Sequence, residues 1–160
     1  MHTELLRRRY GILLAFLTCL FVLRVLGQVL VAFFGVDFLP GMEHWYSGLL
    51  PYPILLPIQI VMIIVMVRIV WDVTRGSGIF SSTKRGTGIF LKWFSYVYFL
   101  SMVVRYIYTM AGHPELRWFG HTIPIWFHMV LAAFLYTYSH YHSVFSRSQI
   151  GQIEQGEHRS

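Results

Sequence analysis

Six polar side chains stand where polar side chains are costly. Arg24, Gln28, Gln59, Arg105, Tyr108 and His128 all interrupt long apolar runs. A charge at the centre of a membrane helix costs about 2.5–3.5 kcal/mol on insertion scales, so such residues default to functional readings. Arginine suits a ligand role because its planar fork matches the oxygens of a phosphate, a carboxylate or a quinone carbonyl. Two alternatives stand beside that reading. Asp37 or Glu43, in the segment after the first run, could fold inward and pair with an arginine. Otherwise Arg24 and Arg105 reach the interface or backbone carbonyls. No acidic residue falls within any of the four runs as read here.

The histidines suggest a second chemistry. There are eight, and His44, His113, His121 and His128 are expected at or near one membrane face, with Asp37, Glu43 and Glu115. Imidazoles with a carboxylate can hold zinc, copper or iron. His44, His113 and His121 are therefore candidate metal ligands. No compact His-x-x-x-His pair occurs among them, and solvated loop histidines are the plainer reading. His128 and His142 are fourteen apart on nearly one helix face, which resembles the spacing of two stacked haems along one helix in cytochrome b proteins. Paired ligation then needs histidines on a second span, and the first three spans contain none. Haem would require a second copy or a Met or partner ligand. No cofactor is assigned. His140 and His142 read as solvated interface residues.

Catalytic signatures are missing. There is no G-x-S-x-G elbow and no H-E-x-x-H. Cys19, the single cysteine, has no activating base nearby in sequence and reads as a packing residue. Paired carboxylates suited to acid–base work are absent. The glycine-rich stretch from Arg75 to Gly88 lacks the strand and the Lys-Ser/Thr of a phosphate loop. It reads as a flexible turn.

These residues need elements to hold them, and composition names the class. Of 160 residues 56% are hydrophobic and only 12% charged, half the share of a soluble domain. Disorder and a disulfide scaffold are excluded. A nucleic-acid partner is not expected despite the formal +6, because the basic residues form no continuous stripe. A helix needs about 20 mostly apolar residues to cross a bilayer. Four runs qualify, at residues 10–34, 49–71, 88–110 and 123–141. Residues 143–160 read as a polar, fraying cytoplasmic tail. The expected fold is an all-α, integral-membrane four-helix bundle forming a single transmembrane domain. Arg7, Arg8 and Arg9 before the first run imitate a signal peptide, but the run is too long and no cleavage site follows. Pro51 and Pro53 suit a helix start, and Pro57 should kink or restart the second helix.

Lys and Arg gather at the N-terminus and between the second and third runs. The positive-inside rule then puts both termini in the cytoplasm, in a bacterial inner membrane. Trp45, Trp71, Trp93, Trp118 and Trp126 fall near span ends, as interfacial rings do. Lys92 and Arg68 lie near the inner surface and can snorkel. With that topology Arg24 and Gln59 lie about 15 Å from the outer surface, Gln28 about 9 Å, and Arg105 and His128 about 8 Å. All five share the outer half of the bilayer. Arg24 and Gln28 are four apart on one face. Tyr98, Ser101, Arg105, Tyr108 and Thr109 form one stripe on the third helix.

Two functions fit. One is a non-catalytic accessory subunit of a larger respiratory, photosynthetic or oxygenase complex, associating with other membrane subunits or with itself. The other is a small membrane protein that itself binds or processes an amphipathic anionic or quinone-like ligand at the Arg/Gln/His layer.

Overall fold

In the computed structural model the described backbone covers residues 2–36, 51–82, 85–112 and 123–157. Side chains are described over 3–36, 51–82, 86–108, 110–112 and 125–146. Four helices account for nearly all of it: α1 (His2–Phe34), α2 (Tyr52–Arg75), α3 (Arg85–Gly112) and α4 (Ile123–Glu157). No strand occurs among the described residues. Helix is the form that satisfies every backbone group without water.

Three of the helices, over Thr3–Phe34, Tyr52–Arg75 and Gly86–Gly112, are long and apolar enough to cross a membrane. The fourth expected span, 123–141, is not among them. Several expected boundaries move outward. α1 begins at His2 and takes in the three arginines. α2 runs on to Arg75 and so includes Asp72, correcting the expectation that no acidic residue lies within a span. α4 continues to Glu157, so the expected fraying tail from 143 is helical through that residue. Phe145 explains its near part, because its ring packs 4.6 Å from Tyr141 and 6.4 Å from Tyr10.

Local sequence accounts for the ends of α2. Pro51 precedes the first turn, and its carbonyl accepts from the N–H groups of Ile54 and Leu55 at 3.0 Å. Pro53 occupies the first turn, where a missing N–H costs nothing. Pro57 stays inside one continuous helix. At the other end Gly76 closes the helix in the left-handed region, φ 67°, which glycine adopts without a Cβ penalty. Its N–H donates to the carbonyls of Asp72 and Val73.

Cross-helix contacts fix the directions. On α1 and α2, Gln28 meets Gln59 while Gly11 lies against Thr74. On α1 and α4, Arg24 meets Phe127 while Tyr10 meets His140. On α3 and α4, Tyr98 meets His128 while Gly88 approaches Ser139 and His142. All three pairs are antiparallel, which brings residues near 10, 74, 88 and 142 to one end, here the termini end. Packing follows the order α2–α1–α4–α3, and among the described residues α2 and α3 do not approach each other. The series is open on that side rather than a closed ring.

The core lies between α1, α2 and α4. Leu14, Leu17, Phe21 and Val25 repeat at helical spacing and meet Met66, Ile69 and Val73 on one side and Phe134, Tyr138 and Tyr141 on the other. Large apolar side chains such as Ile12, Phe16, Ile64, Phe90, Trp93, Val97, Leu100 and Trp126 are exposed. That inversion suits a chain whose surroundings are hydrocarbon. Of the most apolar stretch of each of these three helices, 39% is buried in α1, 17% in α2 and 11% in α3, so α1 is the most enclosed of the three and α3 the least.

Candidate functional site

The buried face of α1 is apolar from Leu14 to Phe21 apart from Thr18, whose hydroxyl donates to the Leu14 carbonyl, and turns polar at Arg24 and Gln28. Both are buried, Gln28 completely. Four residues make about one helical turn, so both point the same way. On α2, Gln59 continues the stripe of Met66, Ile69 and Val73 and is buried as well. The two glutamines therefore meet across the α1–α2 seam, where Gln59 Nε2 donates to Gln28 Oε1 at 3.1 Å. One hydrogen bond uses half of each amide. Gln28 Nε2 and Gln59 Oε1 are buried with no hydrogen-bond partner, and so is the hydroxyl of Tyr52.

The other side of the layer comes from α3 and α4. The Arg24 guanidinium sits 5.6 Å from the centroid of the Phe127 ring, within cation–π range. The His128 ring is next in sequence and shares a 2.6 Å hydrogen bond between Nδ1 and the Tyr98 hydroxyl. Both Arg24 and Arg105 lie within electrostatic reach of that ring, and Tyr52 lies within reach of Arg24. Arg24 thus lies level with Phe127 and His128, Gln28 and Gln59 meet one turn further along α1, and Arg105 stands about two turns past Tyr98 on α3. Tyr108 does not join them. It is 82% exposed on α3.

Tyr52 and Phe127 were not among the sequence candidates. The signal for Tyr52 was present: it lies seven residues before Gln59, two turns along the same face. Phe127 gave none, since a phenylalanine in an apolar run looks like any other. Tyr98 was placed on the polar stripe but not among the ligand residues, although it is the partner of His128.

His44, His113 and His121 lie outside the described residues, as do Asp37, Glu43 and Glu115. Among the described residues no cluster of three or more His, Cys, Asp or Glu side chains has the proximity to hold a metal. His142 is buried rather than a solvated interface residue. Its ring lies edge-on to Tyr138 at 4.6 Å. Only His140 of that pair is exposed, and it bonds to the Tyr10 hydroxyl at 2.6 Å.

A second polar layer closes the termini end. Asp72 is buried, accepts the Phe80 N–H at 3.2 Å and pairs with Arg68 Nε at 3.3 Å. Tyr138 donates to the Phe80 carbonyl at 2.9 Å. The glycine-rich turn is therefore clasped between α2 and α4 rather than loose. Ser139, fully buried, donates to the Gly88 carbonyl at 2.7 Å. The hydrogen bonds of Asp72, Tyr138 and Ser139 and the Arg68–Asp72 pair are all internal to the chain, and this layer reads as structural. The layer at the opposite end holds the two glutamines, each using one amide atom on the other. Comparison with protein-family models, with curated proteins and with solved structures finds no match for this chain.

Proposed function

We propose that this chain is an integral membrane protein that binds the polar head of an amphipathic, quinone-like molecule at the Arg24, Gln28, Gln59, Arg105 and His128 layer. The supporting observation is the half-used amide pair. A buried amide left without partners carries a desolvation cost of about 1–3 kcal/mol, and a ligand that completes it removes that cost. Rotating both amides changes nothing, because two glutamines sharing one bond always leave one donor and one acceptor. A head that both accepts and donates, as the carbonyl and hydroxyl of a quinone–quinol couple do, matches that remainder. A fully ionised anion does not, since it cannot donate to Gln59 Oε1. Arg24 and the Tyr52 hydroxyl would then meet the head's other oxygen.

The reading carries a topology: four crossings, both termini on the cytoplasmic side, and the ligand layer in the outer leaflet. α4 supports a fourth crossing because it lies antiparallel along α1 from Arg24–Phe127 to Tyr10–His140. A short-tailed quinone and its quinol, titrated into the detergent-purified chain and followed by intrinsic fluorescence, test the proposal. Saturable binding should weaken about tenfold in Gln59→Leu, the loss of one hydrogen bond of about 1.4 kcal/mol. Absent binding, or binding indifferent to Gln28 and Gln59, overturns it.

A second reading, the accessory subunit, draws support from α3. Phe90, Trp93, Val97, Leu100, Val104 and Ile107 leave that helix broadly exposed, and among the described residues α2 does not approach it. Co-purification with a defined set of partner chains favours it.

A further inference from the structure

A groove of 460 Å³ runs along the α1–α2 seam, away from the ligand layer and toward the termini end. Ala15, Cys19, Val22, Val67 and Val70 line its length. The two threonines in its wall make no polar demand, because Thr18 donates to the Leu14 carbonyl and Thr74 to that of Val70. Its wall is apolar until it reaches Thr74 and Arg75. From Val67 to Arg75 is about 12 Å of helix, close to the roughly 15 Å of half a bilayer's hydrocarbon.

At Thr74 the groove meets a second depression, of 370 Å³, walled by Glu4, Leu5, Arg7 and Arg8. Glu4 is bonded to Arg7 at 2.6 Å, which leaves that pair neutral. Arg8 and Arg75 have no carboxylate partner among the described residues. The Arg75 guanidinium lies 3.8 Å from the Trp71 ring centroid. Stacking holds the fork flat while its edge keeps its donors. The result is an apolar slot with Arg75 at its mouth and Arg8 in the depression that adjoins it at Thr74.

We infer that this groove seats one acyl chain of an anionic glycerophospholipid from the leaflet at the termini end, with Arg8 and Arg75 holding its phosphate. The inference needs the helices to cross a membrane, but it is independent of the ligand at the opposite end. Selectivity follows from charge. A zwitterionic head brings its own ammonium into a mouth that is already positive, whereas an anionic glycerol head does not. Basic pockets between helices at a membrane face select anionic lipids on this principle.

The test presents the purified full chain with equal amounts of phosphatidylglycerol and phosphatidylcholine, and native mass spectrometry reads which lipid stays bound. We expect one phosphatidylglycerol per chain, favoured at least fivefold. The double variant Arg8→Gln/Arg75→Gln should bring the ratio to within twofold of unity, while Arg9→Gln, outside the groove, leaves it unchanged. Should the double variant fail to fold, the wild-type chain still decides the matter. Phosphatidylglycerol brominated on its acyl chain should quench the Trp71 emission, defined by difference from Trp71→Phe, at least twice as strongly as brominated phosphatidylcholine. Equal uptake of the two lipids, equal quenching, a preference that survives in a folded double variant, or a dimer mass carrying no lipid each overturns the inference.

Discussion

Gln28 and Gln59 show at residue scale why a single side chain here cannot be judged alone. Each amide is satisfied only halfway, and by the other. Gln28→Leu removes one partner and leaves both polar atoms of Gln59 buried and unpaired. We expect it to destabilise the folded chain by about 1–3 kcal/mol. The double variant Gln28→Leu/Gln59→Leu replaces both amides with apolar groups of similar size and should recover most of that loss. Melting in detergent measures the cycle, and equal, additive losses would show that the two amides are not coupled. Ligand binding should fall in all three variants, so stability and binding part company in the double variant.

At the scale of elements, two devices hold the helices in place. Asp72 reaches from α2 to the turn that follows it, and Tyr138 reaches to the same residue of that turn from α4. Asp72→Ala deletes the acceptor of the Phe80 N–H and the partner of Arg68. It should lower stability by about 1–3 kcal/mol and make the 76–82 turn sensitive to protease, whereas Asp72→Asn, which keeps an acceptor oxygen, should cost less. The measurement is proteolysis rate against melting midpoint in the same detergent. Gly88 is the second device. A Cβ there would stand 3.0 Å from the Cβ of His142, tighter than ordinary packing, and the Ser139–Gly88 hydrogen bond depends on that approach. Small residues permit such close helix contact in membranes. Gly88→Val should therefore loosen α3 from α4, read as a fall in helix-pair cross-linking between introduced cysteines.

On the scale of the whole molecule, the buried amide and ionisable side chains gather at the two ends of the core, and the buried hydroxyls between them, Thr18 and Ser95, are spent on carbonyls of their own helices. Met66 and Ile69 separate Gln59 from Asp72 on one face of α2, and Leu14, Leu17 and Phe21 occupy the middle of α1. An even number of crossings places both termini on one side, and an odd number separates them. In a Cys19→Ser background, single cysteines at positions 2 and 158 should react with an impermeant maleimide from the same side of a sealed vesicle. A cysteine at position 44 should react only from the other. Opposite-side labelling of the two termini would mean that α4 does not cross.

The helical class and the approximate place of each helix followed from the sequence alone, because hydrocarbon admits only helices and closed barrels, and these long apolar runs lack a barrel's alternation. The common face of Arg24 and Gln28 was legible too, from their four-residue spacing, but depth counted from the rise per residue set Gln59 beside Arg24, whereas it meets Gln28 one turn further along α1. Direction around each helix was less secure. Tyr108 lay on the expected stripe yet faces outward, because one stripe on α3 is too broad to meet a single neighbouring helix. Asp72 was missed at a boundary only a few residues out, and His142 was assigned to solvent because its aromatic neighbours are apparent only once α4 is wound. Pairing belonged to the tertiary structure entirely. Which amide meets which, that α2 and α3 stay apart, and that a slot between α1 and α2 ends at Arg75 all depend on side-chain shape across helices. Periodicity, which describes one helix at a time, does not contain that information.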